Sequence, residues 1–389
     1  MGKFKLSEKG NFLIMKINCE KAELVEIINT VQKSISPKSA LPILECIKID
    51  ASGDGTVIFT GNNLELCIEY TAHFDVEEGG TIALASKMFG EIVRKMPEGV
   101  MSITVNEENN VTKIKSGISE FNIQGVIAGE FPDPPMMDKN FEFSIPSENL
   151  KNVIKKTISF VSLVEGKRPA LTGALFELNS DNLCVVASDG HRLAVVNEKI
   201  SGNDTKQRII IPGATLREIL KLLKDDETII DVLVSDRYVM FDFKDFKVFT
   251  RIIEGDFLKY ESIISVKNTI NLVVNTAEFR DSLERAMLLI NDDASTPDKR
   301  VPVRLNIGFD KIEISCMTGK GKVNDIVKAS TDGDNLTIGF NCKFLLDALT
   351  ACEESLVKIE FSTAVSGCFI RSLDAENDYV FMVLPVRLN

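Results

Sequence analysis

The sequence predicts an α+β fold made of three duplicated domains, each with two helices packed on antiparallel sheets. Two patterns carry this expectation. A period-2 strand followed by an amphipathic helix occurs six times along the 389 residues, at near-regular intervals. Short turn signals divide the stretches between those helices into further strands.

The first unit has Met15, Ile17 and Cys19 in alternation, the mark of a half-buried strand. Leu24, Ile27, Ile28 and Val31 then recur at helical spacing, predicting a helix over 21–34. Ile82 and Leu84 lead to Phe89, Ile92, Val93 and Met96, a helix over 86–96. Phe141, Phe143 and Ile145 lead to Leu150, Val153, Ile154 and Ile158 over 147–161. The run 208–211 leads to Leu216, Ile219, Leu220 and Leu223 over 213–224. Ile270, Leu272 and Val274 lead to Phe279, Leu283, Ala286 and Ile290 over 276–290. Leu336, Ile338 and Phe340 lead to Leu345, Ala348, Leu349 and Cys352 over 341–351.

Met15 to Phe143 is 128 positions, Phe143 to Ile270 is 127, and the half-steps Met15 to Thr81 and Ile270 to Leu336 are 66 each. A period this long is a duplicated domain, not a solenoid repeat. Turn signals include Ser52-Gly53-Asp54-Gly55, Asn179-Ser180-Asp181-Asn182 and Thr331-Asp332-Gly333-Asp334, giving about eight strands per domain. The expected domains are 15–140, 141–267 and 268–389, behind a leader of uncertain origin, 1–14. Gly129-Glu130-Phe131-Pro132 and Gly255-Asp256-Phe257-Leu258 occupy equivalent places just before the two boundaries.

A 44% hydrophobic, 26% charged composition is that of an ordinary globular chain. With no long apolar run and no signal-peptide pattern, the expectation is a cytoplasmic protein without a membrane partner. The eight cysteines form no C-x-x-C pair, and His73 and His191 are the only histidines, so the cysteines read as buried free thiols. No phosphate-binding glycine loop occurs, and no cofactor is expected.

A net charge of −12 taken alone argues against nucleic-acid binding. Its distribution argues differently. The helices over 86–96, 147–161 and 213–224 carry +2 each; those over 21–34 and 341–351 are neutral, and 276–290 carries −1. The six total +5 and the rest of the chain −17. Arg217, Lys221 and Lys224 form one stripe, as do Lys151 and Lys155. A solvated helix face would look the same singly. Segregation across the set fits helices gathered on one surface facing phosphates.

Ser188-Asp189-Gly190-His191-Arg192-Leu193 invites a hydrolase reading. Triad members must face one another in hydrogen-bond order, which residues one to three apart on a turn rarely manage, and no nucleophile elbow surrounds Ser188. A strand–turn–strand corner exposing His191 and Arg192 is the better reading. The acidic pair Asp292-Asp293 reads as a solvated turn, and Gly319-Lys320-Gly321-Lys322 as a turn between strands.

Three duplicated α+β domains, basic helices and this corner together resemble the β subunit of bacterial DNA polymerase III, the β sliding clamps. The resemblance covers 15–389 and is carried by 38–44, 168–173, 188–193, 338–341 and 384–388. It implies a non-enzymatic, head-to-tail homodimeric ring of six domains around duplex DNA. A peptide-binding pocket would dock the replicative polymerase, the clamp loader and other clamp-binding-motif proteins. Implied DNA contacts are Lys151, Lys155, Arg217, Lys221 and Lys224, with Lys38 and Arg168 on rim loops. The implied pocket joins Leu171, Ser188, Gly190, His191, Arg192, Leu193, Leu258 and Ile263 to Asn341, Phe344 and Val365. It is closed by Met382, Val383, Leu384, Pro385, Val386, Arg387 and Leu388. Leu171, Leu193, Ile263, Val365 and Leu384 would be apolar walls; His191, Arg192, Asn341 and Arg387 would be polar anchors at the rim. Without the resemblance, plain core is the better reading of the apolar members, since apolar alternation usually means burial. The implied interface brings a strand with Lys113, Lys115 and Glu120 against one near Lys320, Lys322 and Asp325, with Glu120 opposite Lys322. The chain departs from the family pattern at Ala214 after Gly213, at Leu258 in place of a proline, in the charges at 320–325, and in ending with Asn389. A protein-binding scaffold without DNA contact is the second reading, and a hydrolase using Ser188 and His191 the third.

Overall fold

The computed structural model describes residues 13–388 apart from 107, 139, 165, 293–300 and 375–377. Most of the expected leader, residues 1–12, lies outside the described residues, as does Asp293.

In chain order the elements are β1 (Leu13–Glu20), α1 (Lys21–Val31), β2 (Cys46–Ala51), β3 (Thr56–Asn62), β4 (Leu66–His73), β5 (Asp75–Glu78), β6 (Gly80–Ala85), α2 (Ser86–Lys95), β7 (Val100–Asn106), β8 (Val111–Ser116), β9 (Ser119–Gln124) and β10 (Phe141–Pro146). Next come α3 (Ser147–Thr157), β11 (Gly173–Ser188), β12 (Arg192–Pro212), α4 (Gly213–Leu220), β13 (Ile229–Val234), β14 (Tyr238–Asp242), β15 (Phe246–Arg251) and α5 (Glu261–Ile264). The last are β16 (Ile270–Asn275), α6 (Thr276–Asp292), β17 (Val303–Ile307), β18 (Lys311–Thr318), β19 (Gly321–Asp332), β20 (Leu336–Phe340), α7 (Cys342–Thr350), β21 (Leu356–Phe361), β22 (Cys368–Ser372) and β23 (Tyr379–Val383). All six expected helices form, and β1 opens two residues earlier than the alternation suggests.

The chain folds into two compact units. Unit 1 holds the residues up to Ser144 together with Ile229–Arg251; unit 2 holds Ile145–Thr228 and the residues from Ile252 on. Unit 1 has an antiparallel sheet in the order β5-β1-β7-β8-β9 and an eight-stranded one in the order β10-β13-β14-β15-β4-β3-β2-β6. Strands β13–β15 come from the middle third of the chain, and β15 joins β4 in register from Phe246 against Tyr70 to Thr250 against Leu66. Leu24, Ile27, Ile28 and Val31 of α1 and Phe89, Ile92 and Val93 of α2 are buried, as their spacing predicts.

Unit 2 is organised on ten strands in the order β11-β12-β23-β22-β21-β16-β19-β18-β17-β20. Its core includes Phe160, Phe176, Phe279, Phe340, Phe361 and Phe381, all essentially inaccessible. The Phe160 and Phe381 rings stack at 5.2 Å.

Two expectations need correction. Asn179-Ser180-Asp181-Asn182 is not a hairpin turn; β11 runs through it with register shifts against β12, so long strands replace several short ones. Polar residues there tolerate a bulge as readily as a turn. The fourth helix stops at Leu220 instead of 224, because the amides of Lys221 and Leu222 bond three residues back and tighten the end. The other two turn signals hold: Gly55 and Gly333 take φ of +92° and +121°, a region open chiefly to glycine.

Candidate functional site

The corner at 188–193 lies in unit 2, where β11 turns into β12. Ser188 Oγ accepts from the Gly190 amide at 3.1 Å and donates to the Arg192 carbonyl at 2.7 Å. Asp189 Oδ1 accepts from the amides of His191 and Arg192 at 2.9 and 3.1 Å. Gly190 sits at φ +86°, a conformation that favours glycine. The Ser188 proton is committed to a backbone carbonyl, and the His191 ring stacks on Phe344 at 6.1 Å. No nucleophile–base pair forms, which removes the hydrolase reading.

Arg192 is not a rim anchor. Its side chain is 7% exposed. Nε bonds Asp189 at 2.9 Å, Nη1 bonds Asp347 on α7 at 2.7 Å, and Nη2 donates to the Ser159 carbonyl at 2.5 Å. The guanidinium lies over Phe344 at 4.5 Å and Phe160 at 5.2 Å. A planar five-donor group suits such a junction, which no local pattern announces because Asp347 is 155 residues away.

The C-terminal strand closes the corner. Strand β23 pairs with β12, Val383 against Arg192 and Met382 against Leu193. Beyond it, the Leu384 amide donates to the His191 carbonyl at 2.9 Å and the Val386 amide to the Gly339 carbonyl at 2.8 Å. Leu388 lies so close over Gly339 that an added Cβ would stand 2.5 Å from its Cδ2. Leu193 and Met382 belong to a buried cluster against which Leu258 and Ile263 pack half-buried. Leu193 is therefore core, not an open wall. Leu171 is also buried, outside that cluster, while its neighbour Ala170 is within it. Asn341 caps α7 by accepting from the Lys343 amide at 3.1 Å. Leu384 and Val365 are exposed. The surface that remains open is His191, Phe344, Leu258, Ile263 and the 384–388 tail.

The cationic residues are placed less simply than a stripe. Lys151 Nζ bonds Asp225 at 2.6 Å, Lys155 Nζ bonds Glu353 at 2.6 Å, and Lys221 Nζ bonds Glu218 at 2.7 Å. The Lys155 hydrogen bond holds the Glu353 carboxyl below the usual carboxylate range. Lys221 and Lys224 lie beyond the end of α4; Arg217 is half-buried on it. Lys38 and Arg168 are exposed on loops before the short 3-10 turns Pro42–Glu45 and Pro169–Thr172. Lys113 and Lys115 are on β8, but Glu120 is on β9, across a turn at Gly117. Glu120 is already bonded to Lys113 at 3.1 Å, and Asp325 to Arg285 through Nε at 2.7 Å. Lys322 is exposed on β19, and Lys320 sits in the turn before it. Strand β9 is the outer strand of its sheet. Residues 321–328 of β19 pair with β18 alone, β16 taking only 329–332.

The eight cysteines are free and buried, and no metal-ligand cluster occurs among the described residues. Among the described residues, no helix is long and apolar enough to cross a membrane.

Three sequence profiles match in succession: the N-terminal, central and C-terminal domains of the DNA polymerase III beta subunit, over residues 15–136, 144–259 and 261–387. The beta sliding clamp of Bacillus subtilis strain 168 is 34% identical over 385 residues, 96% of this chain and all of that one. That of Halalkalibacterium halodurans is 32% identical over 377 residues, 93% of this chain and 97% of its own. Among solved structures, the B. subtilis DNA polymerase sliding clamp superposes with a TM-score of 0.90 at 33% identity, over 96% of this chain and all of that one. A putative DNA polymerase III beta subunit from Eubacterium rectale gives 0.90 at 31%, with the same coverage. Similar along nearly its whole length, and matched by all three domain profiles in order, this chain belongs to the DNA polymerase III beta subunit family.

Proposed function

We propose that this chain is a DNA sliding clamp, a non-catalytic processivity factor that encircles duplex DNA as a homodimer and tethers the replicative polymerase. Each chain supplies three clamp domains, 15–140, 141–267 and 268–389, six to the ring. The observation that carries the reading is the full-length likeness to beta sliding clamps, from the first domain to the last. Two open edges, β9 in unit 1 and 321–328 of β19 in unit 2, support closure. Pairing β9 of one chain with β19 of a second, head to tail, removes both edges at once. Phe121 on β9 and Ile326 on β19 are exposed apolar side chains that such pairing would cover. Because Glu120 holds Lys113, its approach to Lys322 in the second chain makes it a shared acceptor, a solvent-screened contact that sets register more than affinity.

DNA contact is weak and independent of sequence. Lys151, Lys155, Arg217, Lys221 and Lys224 meet phosphates, with Lys38 and Arg168 at the rim. Three of these lysines must leave carboxylate partners to do so, which suits a ring that slides. The polymerase, the clamp loader and other proteins bearing a clamp-binding motif dock on His191, Phe344, Leu258, Ile263 and the 384–388 tail as short extended peptides. The chain has no nucleotide-binding loop, so an ATP-driven loader opens the ring. It works in the cytoplasm, where buried free thiols stay reduced.

Loading onto closed circular DNA tests this. A dimeric mass that persists on dilution, retention on the circle and release on linearisation are expected. A stable monomer, or binding that survives linearisation, contradicts it.

A further inference from the structure

The turn joining β3 to β4 in unit 1 repeats the side-chain-to-amide bonds of the 188–193 corner, though the Asn62 side chain donates to the Pro132 carbonyl at 3.3 Å where Ser188 Oγ donates to the Arg192 carbonyl. Asn62 Oδ1 accepts from the Leu64 amide at 2.7 Å, as Ser188 Oγ accepts from Gly190. Asn63 Oδ1 accepts from the amides of Glu65 and Leu66 at 3.1 and 2.8 Å, as Asp189 accepts from His191 and Arg192. Leu64 takes φ +74°, matching Gly190 at +86°. The strand that closes the corner matches too. The Arg251 amide, at the end of β15, donates to the Glu65 carbonyl at 3.2 Å, as Leu384 beyond β23 donates to His191. Strand β15 sets Phe249 opposite Cys67, as β23 sets Met382 opposite Leu193.

The duplicated corner opens on a cleft of about 200 Å³ lined by Leu64, Cys67, Pro132, Tyr238 and Phe249 among others. That is below the roughly 300 Å³ of small-molecule sites and fits one or two peptide side chains. Its chemistry is not that of the other corner. Glu65 stands where His191 stands, and Glu65 and Asp133 are the charged lining residues. Lys48 pairs with Asp133 at 3.1 Å; the exposed Glu65 carboxylate has no ion-pair partner among the described residues. Leu64 is the second anomaly. A leucine in the left-handed region is strained where glycine would not be, yet it is 57% exposed at the cleft mouth. Strain retained by an exposed apolar side chain is a feature of binding sites.

We propose that this cleft is a second, independent peptide-docking corner, taking an extended segment of a partner protein that sets a lysine or arginine beside an apolar anchor. Glu65 would hold the cation, while Leu64 and Phe249 would flank the anchor. The inference deepens the corner reading of unit 2 and inverts its charge.

The test is equilibrium binding of a fluorescent, end-blocked peptide, Ser-Leu-Lys-Phe-Leu-Ser-Gly, to the full chain. Its counterpart with glutamate for lysine is the charge control, and a peptide with glutamine, leucine and phenylalanine anchors reports the unit 2 corner. The lysine peptide should bind saturably and the glutamate peptide should not. Glu65→Lys and Leu64→Gly should each weaken it about tenfold, the latter without loss of thermal stability. Removing Val386, Arg387 and Leu388 should abolish only the glutamine peptide's binding. The proposal is overturned if the glutamine peptide binds and the lysine peptide does not, or if Glu65→Lys leaves its affinity unchanged. Loss of its binding on tail removal also overturns it, placing the peptide in the other corner. Self-association sensitive to Glu65→Lys assigns the cleft to a second copy and overturns it. Failure of both peptides refutes the unit 2 reading as well.

Discussion

Replacing Arg192 with alanine separates two roles for one residue. As a rim anchor it would govern peptide affinity and little else. As the buried junction observed, it neutralises Asp189 and Asp347, satisfies the Ser159 carbonyl and lies over two rings. The Asp189 and Asp347 side chains are only 15% and 20% exposed. Removing the cation leaves the largely desolvated Asp189 without an ion-pair partner among the described residues and Asp347 with Lys343 alone, at 3.3 Å, so the cost is that of breaking a buried pair, about 3–5 kcal/mol, not the 0–1 of a surface pair. For a unit of this size each kcal/mol lowers Tm by about 2–4 °C, giving a drop of roughly 6–20 °C. Differential scanning calorimetry reads it directly. Arg192→Lys should recover only part, since one ammonium cannot bridge both carboxylates and keep the planar stack. Asp347→Asn should be strongly non-additive with Arg192→Ala, as expected for groups in contact. A Tm within about 2 °C of wild type, with peptide binding lost, would refute the buried-junction assignment.

Gly339→Ala should displace Leu388, since the new methyl group meets its side chain and the Val386 carbonyl. Faster hydrogen exchange at the Val386 amide and weaker peptide binding are expected, with about 1–3 kcal/mol of destabilisation if the tail cannot shift. Glu353→Gln frees Lys155 from its 2.6 Å partner and should tighten duplex binding at low salt; Lys155→Ala should weaken it and lower the log–log salt slope by about one unit. An unchanged slope would remove Lys155 from the DNA contacts. Burial pushes the Cys19, Cys67, Cys342 and Cys352 thiols up to about 12. The unfolded chain releases these protons first, near an ordinary value of about 8.5. Their contribution is complete below that value and is lost as pH rises toward 12, so urea midpoints should fall above about pH 9. A flat profile through that window would contradict the burial.

The sequence read locally was sufficient wherever a local period decides the outcome. All six helices appear where apolar residues recur every three or four positions, because a helix buries one face whatever partner it finds. The duplication was equally legible, since repeated strand–helix spacing survives divergence of the residues themselves. The turn between Lys115 and Glu120 was present as a signal in Gly117, but the two strands were read as one. What the sequence did not contain was which charges meet. Arg192 looked like a surface anchor because its partners Ser159 and Asp347 lie far along the chain. Lys151, Lys155 and Glu120 looked unpaired because Asp225, Glu353 and Lys113 reach them only after the strands have paired and the helices have packed. The likeness of the 62–66 turn to the 188–193 corner was hidden in different residue types, Asn-Asn-Leu against Ser-Asp-Gly. Backbone conformation is what the two turns share, and only the closing strands β15 and β23 make each into a corner. Periodicity depends on neighbours in sequence; burial of a charge and closure of a groove depend on neighbours in space.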